Sequence, residues 1–165
     1  MALPLEGIRV IELGGAFAGP FAAGILARMG ADVIKVERPE GDDARGWGPP
    51  FWNGVSPAYL AMNSDKRGIT LDLKDPTDVA WLMDEVGRSD VLVHNMRPGV
   101  MEELGLGSDV MLAKNPRLVY AAIWALGNLH AGDPQPELAR MLAERVADDG
   151  DIPVPESIEV RCQAA

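Results

Sequence analysis

The stretch that most constrains the fold runs over residues 7–37 and reads GIRVIELGGAFAGPFAAGILARMGADVIKVE. The β-branched apolar run at residues 8–13 stops at two glycines, which is typical of a strand that enters a tight turn. The helix that follows is predicted to begin with Pro20 at its first position and to end at Gly30. A second apolar run occupies residues 33–36. The pattern predicts a strand, a glycine turn, a helix and a parallel strand.

The glycine turn before this helix fits two uses. A helix N-terminus exposes unpaired N–H groups and a partial positive charge, which suits a phosphate or a carboxylate. The dinucleotide-binding fingerprint needs G-x-G-x-x-G, whereas the glycines here are Gly14, Gly15 and Gly19, and Pro20 lacks an N–H. The pattern is therefore compatible with an anion-binding turn and equally with a structural crossover.

Strands and helices alternate through the next part of the chain. Residues 39–57 form a long irregular loop, which Trp47 and Trp52 are predicted to anchor. Further strands are predicted over residues 69–74, 90–94 and 118–123, and further helices over residues 76–86, 100–104 and 108–114. His94 is predicted to be a packed strand histidine and not a base, because its sequence neighbours offer it no partner. The fold class is predicted to be α/β, with a mostly parallel sheet and flanking helices.

The charge balance excludes some classes of partner. The chain has 165 residues, a net charge of −10 and a sequence pI of about 4.6, which argues against an extended nucleic-acid surface. Its single cysteine, Cys162, rules out an internal disulfide framework and fits a reducing compartment. No apolar run approaches the roughly 20 residues that span a bilayer, and no secretory signal pattern precedes the first strand. The expected location is the cytoplasm, with no membrane partner, and no metal site is predicted.

The composition changes after Gly127. Residues 128–165 contain eight acidic residues and three arginines, so this segment carries −5 of the total charge of −10. One amphipathic helix is predicted from Pro136 to near Gly150, followed by an extended tail with two prolines. The sequence therefore predicts a domain over residues 1–127 and an acidic helical or extended tail over residues 128–165.

Several stretches together resemble one known family. In order they read PLEGIRVIEL, AGPFAAGILARMGADVIKVE, DDARGWGPPF, NSDKRGITLDLKDP, SDVLVHNMRPGVMEELGLG and NPRLVYAAI. They are similar to the N-terminal part of family III CoA-transferases, which include formyl-CoA and carnitine CoA-transferases and the α-methylacyl-CoA racemases. The resemblance covers residues 4–127. It implies a Rossmann-like domain that binds coenzyme A, and interlocked homodimers, so that self-association is expected.

The resemblance also implies a set of ligand-binding residues. Those that match the family's coenzyme A site are Ala18, Arg38, Leu71, Lys74, Asn95, Met96 and Arg97, and Trp47 matches a tryptophan near the acyl site. The cations among them, Arg38, Lys74 and Arg97, suit phosphates in an otherwise acidic protein. Leu71 and Met96 can flank adenine.

The sequence also departs from the family pattern in two respects. Glu103 stands where family members commonly have arginine, and the family's nucleophilic aspartate lies beyond the matched residues. The resemblance implies that the complete enzyme transfers CoA between an acyl-CoA and a carboxylate through that aspartate. No catalytic residue can be assigned here, so this chain is expected to be truncated and inactive alone. The alternatives are a racemase-like protein, a nucleotide-binding oxidoreductase domain with Glu37 on a ribose, and a non-catalytic partner of a full-length relative.

Overall fold

The structure is a computed structural model, and it describes residues 2–123. The tail predicted for residues 128–165 lies outside the described residues. The strands are β1 (Arg9–Leu13), β2 (Asp32–Glu37), β3 (Arg67–Thr70), β4 (Val91–His94) and β5 (Val119–Ala122). The helices are α1 (Ala18–Arg28), α2 (Pro57–Asn63), α3 (Pro76–Val86), α4 (Val100–Glu103) and α5 (Ser108–Lys114), and a 3₁₀ turn covers Asp43–Gly46.

The described strands form one parallel sheet in the order β3-β2-β1-β4-β5. In β1, Ile11 lies beside Ile34 of β2 and Leu92 of β4. These strands are covered on both faces, which is why their sequences read as nearly continuous apolar runs. The chain adds β2 and β3 on one side of β1 and then returns to add β4 on the other. The predicted Rossmann-like α/β class is confirmed, and its switch point lies between β1 and β4.

Helices cover both faces of the sheet. Ala23 and Ala27 of α1 pack against Val10 and Val33 on one face. On the other face a larger core includes side chains from α3, α4 and α5, and Leu82 and Met111 are among its fully buried members. All of these elements belong to one compact unit.

Among the element boundaries that differ from the sequence prediction, two concern residues named there. Helix α1 begins at Ala18, so Pro20 is its third residue and not its first. Proline is tolerated there because the N–H groups of the first turn have no intrahelical partner. Strand β3 ends at Thr70 instead of continuing to residue 74, because Asp72 begins a turn in which its carboxylate accepts the N–H of Lys74 at 2.9 Å. Leu71 and Lys74 therefore lie after the strand.

Within the described part of the chain, no helix has the length and apolar character that crossing a membrane requires.

Candidate functional site

A cavity of about 500 Å³ opens at the carboxyl ends of β1, β2 and β4. Open parallel sheets bind ligands at this edge, and the cavity lies at the switch point between β1 and β4. The turn after β1, the end of β2 with its following loop, and the loop after β4 form its wall. The lining residues are Gly14, Gly15, Ala16, Val36, Glu37, Arg38, Gly41, Asp42, Asp43, Asn95, Met96, Arg97 and Val100.

The side chain of Asn95 joins the turn after β1 to the loop after β4. Its Oδ1 accepts the N–H of Gly15 at 3.1 Å, and its Nδ2 donates to the carbonyl oxygen of Gly15 at 2.8 Å. A Cβ on Gly14 or Gly19 would lie 2.3 or 2.9 Å from Asn95 Oδ1. These two glycines are therefore needed to make room for the Asn95 amide, which already bonds to the protein through both of its polar atoms.

Asp42 holds the next residue of the same turn. Its Oδ1 accepts the N–H of Ala16 and the N–H of Ala44, each at 2.9 Å, and its Oδ2 lies 2.9 Å from Nζ of Lys35. Burial alone would raise the pKa of Asp42, but the hydrogen bonds from Ala44, Lys35 and Ala16 hold it below its usual value. Ala16 adopts a left-handed conformation with φ of 61°, which costs energy in a non-glycine residue. The Asp42 carboxylate therefore fixes the backbone at the base of α1.

Four buried charges lie below this turn. Nζ of Lys35 is 2.9 Å from Glu12 Oε1, and Nζ of Lys66 is 2.7 Å from Glu12 Oε2. The side chains of Glu12, Lys35 and Lys66 are at most 2% exposed, and Asp42 completes a neutral set of two cations and two anions. Burial lowers the pKa of Lys66, against the opposing effect of Glu12. Because each charge has a partner, the network ties β1, β2 and the loop after β2 together.

Glu37, at the end of β2, is fully occupied by donors from the loop that follows. Arg45 donates to both carboxylate oxygens, at 2.8 and 2.9 Å, Tyr59 donates its O–H at 2.5 Å, and the N–H of Asp42 donates at 3.0 Å. Burial would raise the pKa of Glu37, but these bonds lower it to about 2. Burial and the neighbouring Glu37 carboxylate in turn raise the pKa of Tyr59. The carboxylate has no acceptor site left for another group.

The prediction that Trp47 and Trp52 anchor the loop after β2 is wrong, since these side chains are 42% and 65% exposed. Polar contacts hold this loop instead. Glu37 binds Arg45, whose guanidinium also stacks over the Tyr59 ring at 4.1 Å, and Asp42 binds the turn after β1. Hydrogen bonds to buried carboxylates, and not apolar side chains, therefore fix the position of this loop.

Two arginines bring positive charge to the cavity. Arg38 follows β2, and its Nε donates to the carbonyl oxygen of Gly41 at 3.0 Å while its Nη2 donates to the Asp43 carboxylate. Arg97 follows β4 on the other side of the switch point and is exposed. Within residues 2–123, Arg97 has no ion pair. The cavity therefore has one arginine paired with a carboxylate and one that is open to an anion.

The structure gathers about half of the site residues that the resemblance implied. Those in the cavity wall are Arg38, Asn95, Met96 and Arg97. Ala18 is the exposed first residue of α1, Lys74 is exposed in the turn before α3, and Trp47 directly follows the 3₁₀ turn. Leu71 is 5% exposed and belongs to the core. None of these last four is part of the cavity wall.

His94 is packed at the end of β4. Its ring lies 5.1 Å from that of Tyr120, and its Nδ1 accepts the N–H of Met96 at 3.3 Å. Burial lowers the pKa of His94, and the charge of Glu102 opposes this effect. These contacts agree with the interpretation of a packed strand histidine, since a buried imidazole of low pKa is neutral at physiological pH.

The sequence reasoning missed Glu12, Lys35 and Asp42 as residues that support the site. A signal was present, because Glu12 and Lys35 each interrupt an apolar strand. They are also direct neighbours in the β1–β2 register, which pairs opposite charges inside the sheet. In the described part of the chain, no group of three or more His, Cys, Asp or Glu side chains is placed to hold a metal ion.

Comparison with known proteins gives a family match for most of the chain. The model of CoA-transferase family III matches residues 5–139. The chain belongs to CoA-transferase family III. The match ends beyond residue 127, where the resemblance stopped, so the first part of the predicted acidic tail is also family sequence. It does not extend over the rest of the tail.

Relatives in family III include enzymes with named substrates. The chain is 46% identical over 131 residues to a succinate–glutarate CoA-transferase of Agrobacterium fabrum, covering 75% of this chain and 33% of that protein. It is 41% identical over 140 residues to the beta subunit of a succinyl-CoA–L-malate CoA-transferase of Chloroflexus aurantiacus, covering 84% and 35%. A CaiB/BaiF family structure from Brucella suis matches with a TM-score of 0.69 and 40% identity, covering 73% and 33%. The chain thus spans about a third of the length of these relatives.

Proposed function

We propose that residues 2–123 form the coenzyme A-binding part of a family III CoA-transferase, and that the cavity at the switch point receives the phosphates of CoA. The observation that carries this proposal is the position of Arg38 and Arg97 on either side of one cavity, next to the N-terminus of α1. Two guanidinium groups and a helix N-terminus suit phosphate, and they stand out in a chain with a net charge of −10.

The predicted residues receive different roles in this proposal, and Asn95 positions the turn after β1. Arg38 and Arg97 bind phosphate, and Met96 offers an apolar surface to adenine. Ala18 contributes the backbone of the first turn of α1. Lys74 and Trp47 are exposed and reach ligand atoms outside the cavity wall, whereas Leu71 supports the site from the core.

The complete reaction is proposed by analogy with the relatives. The named substrates of two of them are succinyl or succinate groups paired with glutarate or L-malate. We propose that an enzyme built from this domain moves CoA between a dicarboxylic acyl-CoA and a carboxylate acceptor, in the cytoplasm and as a dimer. In the family, the reaction depends on a nucleophilic aspartate that lies beyond the stretches resembling the family. We therefore propose that the 165-residue chain alone binds CoA but does not transfer it.

Glu37 argues against the oxidoreductase alternative. An acidic residue at the end of the second strand binds ribose hydroxyls in dinucleotide-binding domains, and it needs free acceptor sites to do so. Here Arg45, Tyr59 and the N–H of Asp42 already donate to the Glu37 carboxylate. A ribose would have to displace a two-pronged arginine, which makes NAD the less suitable ligand.

Isothermal titration calorimetry of the chain with CoA and with NAD tests this proposal. CoA is expected to bind more tightly than NAD, and Arg38→Ala or Arg97→Ala should weaken CoA binding about tenfold or more, since a charge-assisted bond contributes roughly 1.5–3 kcal/mol. Arg88→Ala is the matched control, because Arg88 is an exposed arginine after α3 and outside the cavity wall. Equal CoA affinity in all four proteins, or tighter binding of NAD, would refute the proposal.

A further inference from the structure

One cation of the cavity already has an anion beside it. Nη2 of Arg38 donates to the Asp43 carboxylate, and both side chains belong to the cavity wall. They are 55% and 71% exposed, so water reaches both charges. An exposed ion pair contributes little free energy, and opening it leaves no charge buried without a partner. The Asp43 carboxylate can therefore be exchanged for another anion.

The other two carboxylates of the cavity wall, those of Glu37 and Asp42, are each paired with a cation of the protein. Glu37 is bound by Arg45, and Asp42 lies 2.9 Å from Nζ of Lys35. For Asp43, Arg38 is the only ionic partner within 4.0 Å among residues 2–123. Asp43 is thus the carboxylate whose charge an anion meets when it approaches Arg38.

The surrounding contacts hold Asp43 in place. It is the first residue of the 3₁₀ turn, whose N-cap is Asp42. Asp42 itself is fixed by the N–H of Ala16 and by Lys35. The backbone that carries Asp43 is therefore tied to the buried charges, and the protein without ligand presents this carboxylate to Arg38.

We propose that Asp43 is an internal competitor for the phosphate that Arg38 binds, and that it sets the affinity of the cavity for phosphorylated ligands. The proposal rests on the proposed binding of CoA in this cavity. A phosphate must displace the Asp43 carboxylate from Arg38 and then tolerate its charge nearby. A single carboxylate gains little from this exchange. A phosphate group carries more charge than a carboxylate, so the exchange favours phosphorylated ligands.

Charge removal at Asp43 gives a test with a gain of affinity. Calorimetry with CoA and with pyrophosphate is expected to show about threefold to tenfold tighter binding by Asp43→Asn at low ionic strength, and a smaller gain at high salt. Glu40→Gln is the control, because it makes the same charge change next to Arg38. Glu40 Oε2 is 3.9 Å from Arg38 Nε, and Glu40 is not part of the cavity wall. This control is expected to change the affinity less than twofold.

A second background shows whether the effect passes through Arg38. In Arg38→Gln protein, Asp43→Asn should bring a smaller gain of affinity than in the wild-type background, since the contested cation is gone and only the repulsion between Asp43 and the phosphate is relieved. An equal gain in both backgrounds would overturn the exchange at Arg38. So would unchanged or weaker binding by Asp43→Asn alone.

The two ligands separate this inference from the proposed function. If CoA binds to the wild-type chain and Asp43→Asn brings no gain, the competition is refuted and the proposed function stands. If CoA binds to no variant and pyrophosphate shows the gain, the competition stands and the proposed function fails. Absence of binding for both ligands in every variant refutes both.

Discussion

The amide of Asn95 and the peptide group of Gly15 bond to each other in both directions, at 3.1 and 2.8 Å. One residue lies after β4 and the other after β1, so this pair closes the cavity wall across the switch point of the sheet. Asn95 was expected to contact the ligand. Its geometry indicates a positioning role, because its oxygen and nitrogen already bond to the protein.

Asn95→Ala should therefore affect both stability and binding. We expect the free energy of unfolding to fall by about 1–3 kcal/mol, because the polar groups of Gly15 lose their partners, and CoA binding to weaken as the turn loosens. The matched control is Asn115→Ala, whose amide donates to Val86 and Ser89 carbonyl oxygens away from the cavity. Urea denaturation and calorimetry on both variants check this. A similar loss of affinity in the control would assign Asn95 a purely structural role.

The Glu37 carboxylate should make stability depend on pH in the acid range. Its pKa is about 2 in the folded chain against an ordinary value of 4.5, so its contribution is complete above pH 4.5 and is lost as the pH falls towards 2. The shift corresponds to at most about 3 kcal/mol. Urea denaturation from pH 6 to pH 2.5 should show this loss. Tyr59→Phe removes one donor to Glu37 and should reduce the loss. A pH profile identical to wild type would show that this bond does not hold the pKa down.

Glu103 offers a test of the family comparison. It is the last residue of α4, the helix whose first residue, Val100, lines the cavity. Glu103→Arg introduces the cation that the family resemblance implies at this position, and we expect CoA to bind more tightly by roughly tenfold, as one charge-assisted contact would provide. Glu6→Arg makes the same charge change before β1, at the other end of the sheet. Calorimetry should show a gain for Glu103→Arg alone, and no gain would mean that this position does not face the ligand.

We expect the purified chain to show no CoA transfer. The family's nucleophilic aspartate has no counterpart in the stretches that resemble the family, and binding alone does not break a thioester. Incubation with succinyl-CoA and glutarate or malate, followed by chromatography of the CoA esters, measures this. Formation of the second thioester above a blank without protein, in a preparation free of host transferases, would contradict the expectation.

Self-association is also expected. Four exposed apolar residues recur every fourth position from the N-cap to the C-cap of α1, namely Phe17, Phe21, Ile25 and Met29. The rings of the first two stack at 5.4 Å. Water contact with such a stripe favours association. Light scattering should show oligomers that decrease in Ile25→Lys. Trp81→Lys, on α3 at the opposite face of the sheet, is the control. A monodisperse wild-type monomer would contradict this prediction. Co-purification with a full-length relative would instead favour the alternative that the chain is a non-catalytic partner of that relative.

The sequence by itself determined the order and type of the elements. Apolar runs and the two glycines after Leu13 mark the strands and helices, because periodicity and backbone freedom act locally. The family motifs located Arg38 and the NMRPG turn for the same reason, since a motif is contiguous. The parallel direction of the strands followed from the alternation of strands and helices, whereas their order in the sheet did not.

Only the tertiary structure decided how side chains distant in sequence pair. Asn95 meets Gly15, Asp42 meets Ala16, and Lys66 meets Glu12, across separations of 80, 26 and 54 residues. A hydrogen bond of about 3 Å between such groups depends on strand register and loop path, which local patterns do not encode. The sequence therefore shows which charges the chain carries, whereas the fold decides which are neutralised inside and which meet a ligand.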